Sequence, residues 1–149
     1  MPCHITVAAV IETEGQFLFV EETDGGRHVL NQPAGHLEPG EDLLEAVVRE
    51  VLEETAKVFH PEAFLGCDLL ALPNGAVTLR AAFCGGVSEP GTHAPRDPAI
   101  HALHWLTPGD AERGWPLRSP LVMRSLRRYL SGLRLPLSAA GALNQVPSG

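Results

Sequence analysis

At 149 residues, with 44% hydrophobic and 19% charged residues, the chain is long enough to bury a core and too apolar for wholesale disorder. No apolar run approaches the roughly 20 residues of a membrane-spanning helix, and the first residues lack the basic-then-apolar order of a secretory signal. The net charge of −7 is local: residues 38–54 hold seven acids and one base, Arg49, while the remaining ten bases and eleven acids nearly cancel.

Residues 5–11 and 16–20 are β-branched and apolar runs separated by Thr13-Glu14-Gly15, which predicts two strands and a tight turn. A short strand over residues 29–31 runs into Gln32-Pro33-Ala34-Gly35, where Pro and Gly end the extended pattern. Residues 41–55 are predicted helical, because Leu44, Val47, Val48, Val51 and Thr55 recur on one stripe. Residues 64–72 and 77–83 flank Pro73-Asn74-Gly75-Ala76, a hairpin signal. Residues 89–98, with three prolines and a glycine, read as a loop, and 100–106 as a strand. A second helix is expected to start with Ser119 as N-cap and Pro120 in its first turn, and residues 138–149 are expected to form a flexible tail behind a single domain over 1–137. This order predicts an α/β sandwich with a mixed sheet.

The acidic helix carries the chemistry. With Glu50 at 0° and about 100° per residue, Glu54 falls near 40° and Glu53 near 300°, while the apolar stripe centres near 110°. Three carboxylates are therefore expected on one exposed edge, at the i, i+3 and i+4 spacing where like charges repel. A divalent cation reverses that repulsion, and hard oxygen ligands suit Mg²⁺ or Mn²⁺. Arg49, near 260°, is expected to reach Glu45 and Glu53, four residues either side. A solvated acidic face is the alternative for such a helix taken alone.

The residue order decides between them. Gly35, five residues, Glu41, seven residues, then Arg49-Glu50-Val51-Leu52-Glu53-Glu54 resembles the Nudix box. The resemblance implies a Nudix-type α/β/α sandwich with its helix after the third strand. It also implies that Glu50 and Glu54 are metal ligands, Glu53 a further ligand or the water-activating base, and the Gly35 carbonyl part of the metal shell. Arg49 would orient Glu53, and Glu41 would be a supporting acid. Two positions depart from the box: its closing Gly is Ala56 and the aliphatic residue after it is Lys57. Ala56 is expected either to lengthen the helix or to strain its exit.

Further segments, Val20-Glu21-Glu22, residues 31–38 and 117–122, Tyr129, Ser131-Gly132 and Pro136-Leu137, resemble the NudJ-type Nudix phosphatases. That subgroup implies Mg²⁺-dependent release of orthophosphate from nucleoside tri- and diphosphates or thiamine-type pyrophosphates. Another Nudix specificity (house-cleaning nucleoside triphosphates or ADP-ribose) and a non-catalytic nucleotide-binding module are the alternatives. Metal and a small nucleotide or pyrophosphate are the expected partners, with no membrane or nucleic acid. A monomer and a homodimer are both open. Asp97 and Glu89 could add an acid to the metal site, or be solvated loop acids.

Gln32 is a substrate contact or a turn hydrogen-bonder, and His36 a substrate contact or a plain loop residue. Arg118, in a matching segment ahead of a helix N-terminus, is expected to meet phosphate. The other arginines after it (124, 127, 128, 134) read as a solvated face, since the aromatic interleaving of single-strand binders is missing. Of seven histidines (4, 28, 36, 60, 93, 101, 104), His101 and His104 are expected on opposite faces of a strand, with no metal. Cys3, Cys67 and Cys84 have no zinc spacing and are expected to be buried free thiols of a cytoplasmic protein.

Overall fold

The computed structural model describes residues 1–92 and 95–143. In chain order these form β1 (Cys3–Val10), β2 (Glu12–Thr13), β3 (Gln16–Asp24), β4 (Arg27–Asn31), β5 (Ala34–His36), α1 (Leu43–Thr55), β6 (Val58–Ala71), β7 (Val77–Ser88), β8 (Ala102–Leu106), α2 (Pro108–Gly114), α3 (Pro120–Leu130) and a 3₁₀ turn over Leu137–Ala140. The central sheet runs β5-β1-β7-β6 and is mixed, with β1 and β7 parallel and the other pairs antiparallel. A second sheet runs β2-β3-β4, with β8 also pairing β3.

The central sheet is covered on both faces, so β1 buries Val7, Ala8, Ala9 and Val10 without a break. Side chains of β7 alternate between the two coverings. Ala81 and Phe83 join Ala46, Val47 and Val51 of α1, while Ala82 and Cys84 join Val122, Met123 and Leu126 of α3. This is the expected α/β/α sandwich, and it stations α1 and α3 on opposite sides of the strands that carry Gly35.

Several boundaries differ from the sequence reading. Helix α1 starts at Leu43, because Asp42 is its N-cap and closes a reciprocal capping box with Glu45. Glu41 is left outside the helix. Two short strands, β2 and β5, add to the three expected before α1. Strand β6 begins at Val58, ahead of the predicted 64; Pro61 is tolerated because the register with β7 shifts between Pro61 and Ala63. Helix α2 was not anticipated, although Thr107 followed by Pro108 is a start signal and Thr107 does cap it. Helix α3 begins at Pro120 with Ser119 as N-cap, as expected.

Of the stretch expected to be a flexible tail, Ala140 is buried in the core, and residues 144–149 lie outside the described residues, as does His93. Cys84 is buried, but Cys3 and Cys67 are exposed, contrary to the expectation of three buried thiols. Among the described residues no helix is long and apolar enough to cross a membrane.

The helix exit resolves the question posed by Ala56. The helix does not lengthen: Ala56 takes the left-handed conformation (φ 57°, ψ 26°) with its N–H on the Leu52 carbonyl. A Cβ in that conformation costs roughly 1–2 kcal/mol, against which glycine's extra chain entropy costs about 0.5–1 kcal/mol. Ala56→Gly is therefore expected to stabilise the protein by about 0.5–1 kcal/mol, measured as a higher urea midpoint at unchanged slope. A midpoint that falls would show that the exit is unstrained.

Candidate active site

The short β5 and the face of α1 that crosses it bring the predicted residues together. Glu50 lies so close to Gly35 that a Cβ there would stand 2.1 Å from the Glu50 carboxyl carbon. Any side chain at that position would push the Glu50 carboxylate away from this strand. One turn on, Glu54 Oε1 accepts the Ala34 N–H at 2.8 Å. Glu54 is only 8% exposed, and the Glu50 side chain 13%, whereas that of Glu53 is 51% exposed. The expectation of three carboxylates on one exposed edge thus holds for Glu53 alone. The wheel angle located Glu54 correctly on the helix but took no account of β5 covering that edge.

Arg49 holds this group in order. Its Nε and Nη2 grip Glu41 (2.9 and 2.5 Å), Nη1 reaches Glu50 at 2.8 Å and Glu53 at 3.3 Å, and Nη2 also bonds the His36 carbonyl at 3.0 Å. Glu45, expected as a partner, is instead occupied by the capping box. The fork beside Glu41 holds that carboxyl below the usual range and raises Arg49 well above its own.

Glu50 and Glu54 move the other way. Burial raises both, and Glu54 is pushed up to about 8 by burial, with the charges of Glu50, Glu22 and Asp97 adding to the rise against the Ala34 hydrogen bond. Among the described residues no three acidic, histidine or cysteine side chains converge into a ready-made cation cage. Glu50 and Glu53 turn to Arg49, and Glu54 to Ala34. The donor set nevertheless fits a hard divalent cation: carboxylates destabilised by burial and by neighbouring acids, beside a backbone that glycine leaves uncovered.

The loop acids differ from each other. Glu89 pairs with Lys57 at 2.6 Å and is not brought to the site. Asp97 is anchored to the end of α1, its N–H on the Glu53 carbonyl at 2.7 Å, while its carboxylate bonds the Ala99 N–H at 2.9 Å.

A cleft of about 520 Å³ opens beside β5. Its floor is one face of the central sheet (His4, Thr6, Thr78, Arg80), and its rim includes Gly35, His36, Glu22, Asp24, Asn31, Arg118 and Ser119. His36 and Arg118 both line this cleft. Gln32 does not: it is 2% exposed, donating to the Val122 carbonyl at 2.7 Å and accepting from Arg80 at 2.9 Å. Arg118 is braced by Glu22 at 3.1 Å and Asp24 at 3.4 Å.

The sequence reading missed Arg80 and Glu22. Arg80 is buried at mid-strand, and burial draws it down to about 10. A charged residue inside the apolar run of residues 77–83 was the available signal.

Away from the cleft, Arg124 and Arg128 clamp Asp68, and Arg127 reaches Glu112, so these arginines bracket α3 to its neighbours. His101 and His104 are not on opposite sides. His101 precedes β8, so strand alternation does not govern it. It bonds Thr23 at 2.6 Å and stacks on His28, while His28 and His104 share Glu21.

The chain matches the NUDIX domain family over residues 2–126. It is 40% identical to phosphatase NudJ of Escherichia coli K12 over 141 residues, 95% of this chain and 92% of that protein. Among solved structures, a NUDIX hydrolase from Nitrosomonas europaea superposes with a TM-score of 0.87 at 40% identity, covering 96% of this chain and 98% of that one. The NUDIX domain of Shewanella oneidensis NrtR, solved with ADP ribose, shares the fold at a TM-score of 0.70 and 16% identity, over 89% of each chain.

The Glu54 environment makes a pH prediction for metal-free protein. Its folded pKa lies above the ordinary 4.5, so its contribution is fully present below about pH 4.5 and is lost as the pH rises through about 8. The loss is at most about 5 kcal/mol at about 1.4 kcal/mol per unit. Glu54→Gln, neutral at every pH, is expected to melt above the wild type at pH 8.5, with the gap closing by pH 5. Parallel melting curves across that range would contradict the burial argument.

Proposed function

The chain belongs to the Nudix hydrolase family and is a NudJ-like hydrolase acting on pyrophosphate bonds, and on that premise we propose that it is a Mg²⁺-dependent phosphatase of nucleoside tri- and diphosphates or thiamine-type pyrophosphates, releasing orthophosphate. The observation that carries the reading is the pair Glu50 and Glu54 held against Gly35 and Ala34, both driven up chiefly by burial, with neighbouring acids adding to the rise. Those two residues and the Gly35 carbonyl would hold the cation, with Mn²⁺ as a possible substitute. When bound, it neutralises the anhydride oxygens and acidifies a water molecule for in-line attack on phosphorus.

The remaining work falls to the chain itself. Glu53, the exposed acid of the three, would accept the proton of the attacking water. Arg49 positions Glu50 and Glu53 through a guanidinium that Glu41 fixes from the other side. His36 and Arg118 border the cleft, where they would contact the substrate. All four box glutamates are present on this frame, which favours turnover over mere nucleotide binding. The free cysteines support a reducing, cytoplasmic setting.

Incubation with Mg²⁺ and a panel of nucleoside tri- and diphosphates, thiamine pyrophosphate and ADP-ribose, with chromatographic identification of products, tests this directly. Orthophosphate is the expected product; pyrophosphate or AMP would assign another Nudix specificity, and no product a binding module. Glu54→Gln should lose more than the roughly 10–100-fold typical of changes outside the ligand shell, while circular dichroism stays unchanged. Undiminished turnover in that variant would remove the metal from this helix.

A further inference from the structure

The cleft contains two guanidinium groups whose situations differ. Arg118 is about half exposed and already faces Glu22 and Asp24. Arg80 is 5% exposed, and among the described residues no carboxylate lies within ion-pairing distance of it. Its Nη1 donates to Gln32 Oε1 and its Nη2 to Asn31 Oδ1, both at 2.9 Å, while its Nε has no partner. A buried cation held by two neutral amide oxygens and left with an unmet donor is costly to keep. Lysine or glutamine could bridge those amides without a rigid, permanently charged fork. The charge is therefore offset only at longer range, by Glu22 and Glu54, with no carboxylate paired to it directly.

Its supports are themselves fixed. Asn31 Nδ2 donates to Glu22, which accepts Arg118, and Gln32 Nε2 donates to the Val122 carbonyl of α3. The guanidinium is thus preorganised by the end of β4 and, through Gln32, by α3. In register, Arg80 pairs with Thr6, and Thr6 with His36. Two inter-strand spacings of about 4.8 Å put the Arg80 backbone about 10 Å from the strand that carries Gly35. That separation is on the scale of a di- or triphosphate chain.

Building on the function proposed above, we propose that Arg80 is a positioning residue that holds a phosphate oxygen of the substrate away from the bond being cut, and so selects substrates with a phosphate chain. The chemical class it recognises is a pyrophosphate or polyphosphate oxyanion, with no demand on the group attached to it. Arg118, neutralised by its two acids, is secondary.

The test is binding of two non-hydrolysable probes, methylenediphosphonate and adenosine α,β-methylene diphosphate, to wild type, Arg80→Gln and Arg80→Lys. Each titration is run in EDTA and in excess Mg²⁺. Loss of one charge-assisted hydrogen bond predicts that Arg80→Gln weakens both probes by about tenfold or more, by the same factor with and without metal. KM should rise in step while kcat changes by less than about threefold, since the contact is made equally before and during the reaction. Arg80→Lys should bind both probes more tightly than Arg80→Gln. Melting temperature separates the readings: a merely structural arginine would lower it and leave probe affinity unchanged, which overturns the proposal. Weakening confined to the adenosine probe would also overturn it, as recognition of the base. Should Arg80→Gln fail to fold, less than about a twofold loss of methylenediphosphonate binding by Arg80→Lys overturns it. The EDTA ratio is read with no metal bound, so failure here is distinguishable from failure of the metal assignment.

Discussion

The closeness of α1 to β5 is the constraint on which the site depends. The Glu50 carboxylate can lie against this strand only where the strand offers no side chain, and Gly35 supplies that gap directly beneath it. Once the approach is made, Glu54 falls over the Ala34 N–H and is cut off from water. Burial of the second acid follows from the position of the first. The acidic edge would otherwise be three solvated carboxylates with little reason to bind an ion selectively; pressed on β5, two of them become groups that favour either a proton or a cation. Arg49 limits the cost of this arrangement without removing it, since its fork is committed to Glu41 and only one nitrogen is shared between Glu50 and Glu53.

The parallel pairing of β1 with β7 then sets the length of the site. It places β7 between β1 and β6, so that the strand bearing Gly35 and the strand bearing Arg80 are separated by β1 alone. Glu50 and Glu54 therefore lie against β5 on one side of β1, and Arg80 lies on the strand at its other side, where it lines the cleft with Arg118. A polyphosphate is a chain of anions that needs a cation at the reacting phosphorus and donors further along, and that sequence of demands matches the order of groups across the sheet. Glu22 belongs to both parts: it braces Arg118, bonds Asn31 beneath Arg80, and adds its field to Glu54. An acid of that kind keeps the two arginines from neutralising the acids of α1.

Much of this was legible in residue order. The spacing of Gly35, Glu41, Arg49, Glu50, Glu53 and Glu54 gave the family and the helix, and the turn signals gave the layering. What escaped was set by contacts between elements. Glu54 looked exposed because a helical wheel has no strand beside it. Gln32 looked available because its burial under α3 depends on a partner 90 residues away. The histidines looked opposed because alternation was applied one residue beyond the strand where it operates. Arg80 was overlooked because an apolar run is read by its majority, though a lone charge inside such a run is the more informative residue. Helix α2, at seven residues, was too short for periodicity to reveal.

The two departures from the box have a common physical logic that bears on activity. Ala56 and Lys57 both lie past the last acid, where α1 turns away from β5. Ala56 stores its strain in the backbone of the exit, and Lys57 spends its charge on Glu89. Neither touches Gly35, Arg49 or the four glutamates. The segment that contacts the site from this end is instead the loop carrying Asp97, whose N–H holds the Glu53 carbonyl and whose charge reaches Glu54. A strained exit that still delivers Glu53 and Glu54 to that loop alters the stability of the helix end and leaves the arrangement of its acids intact, which separates the departures from the chemistry.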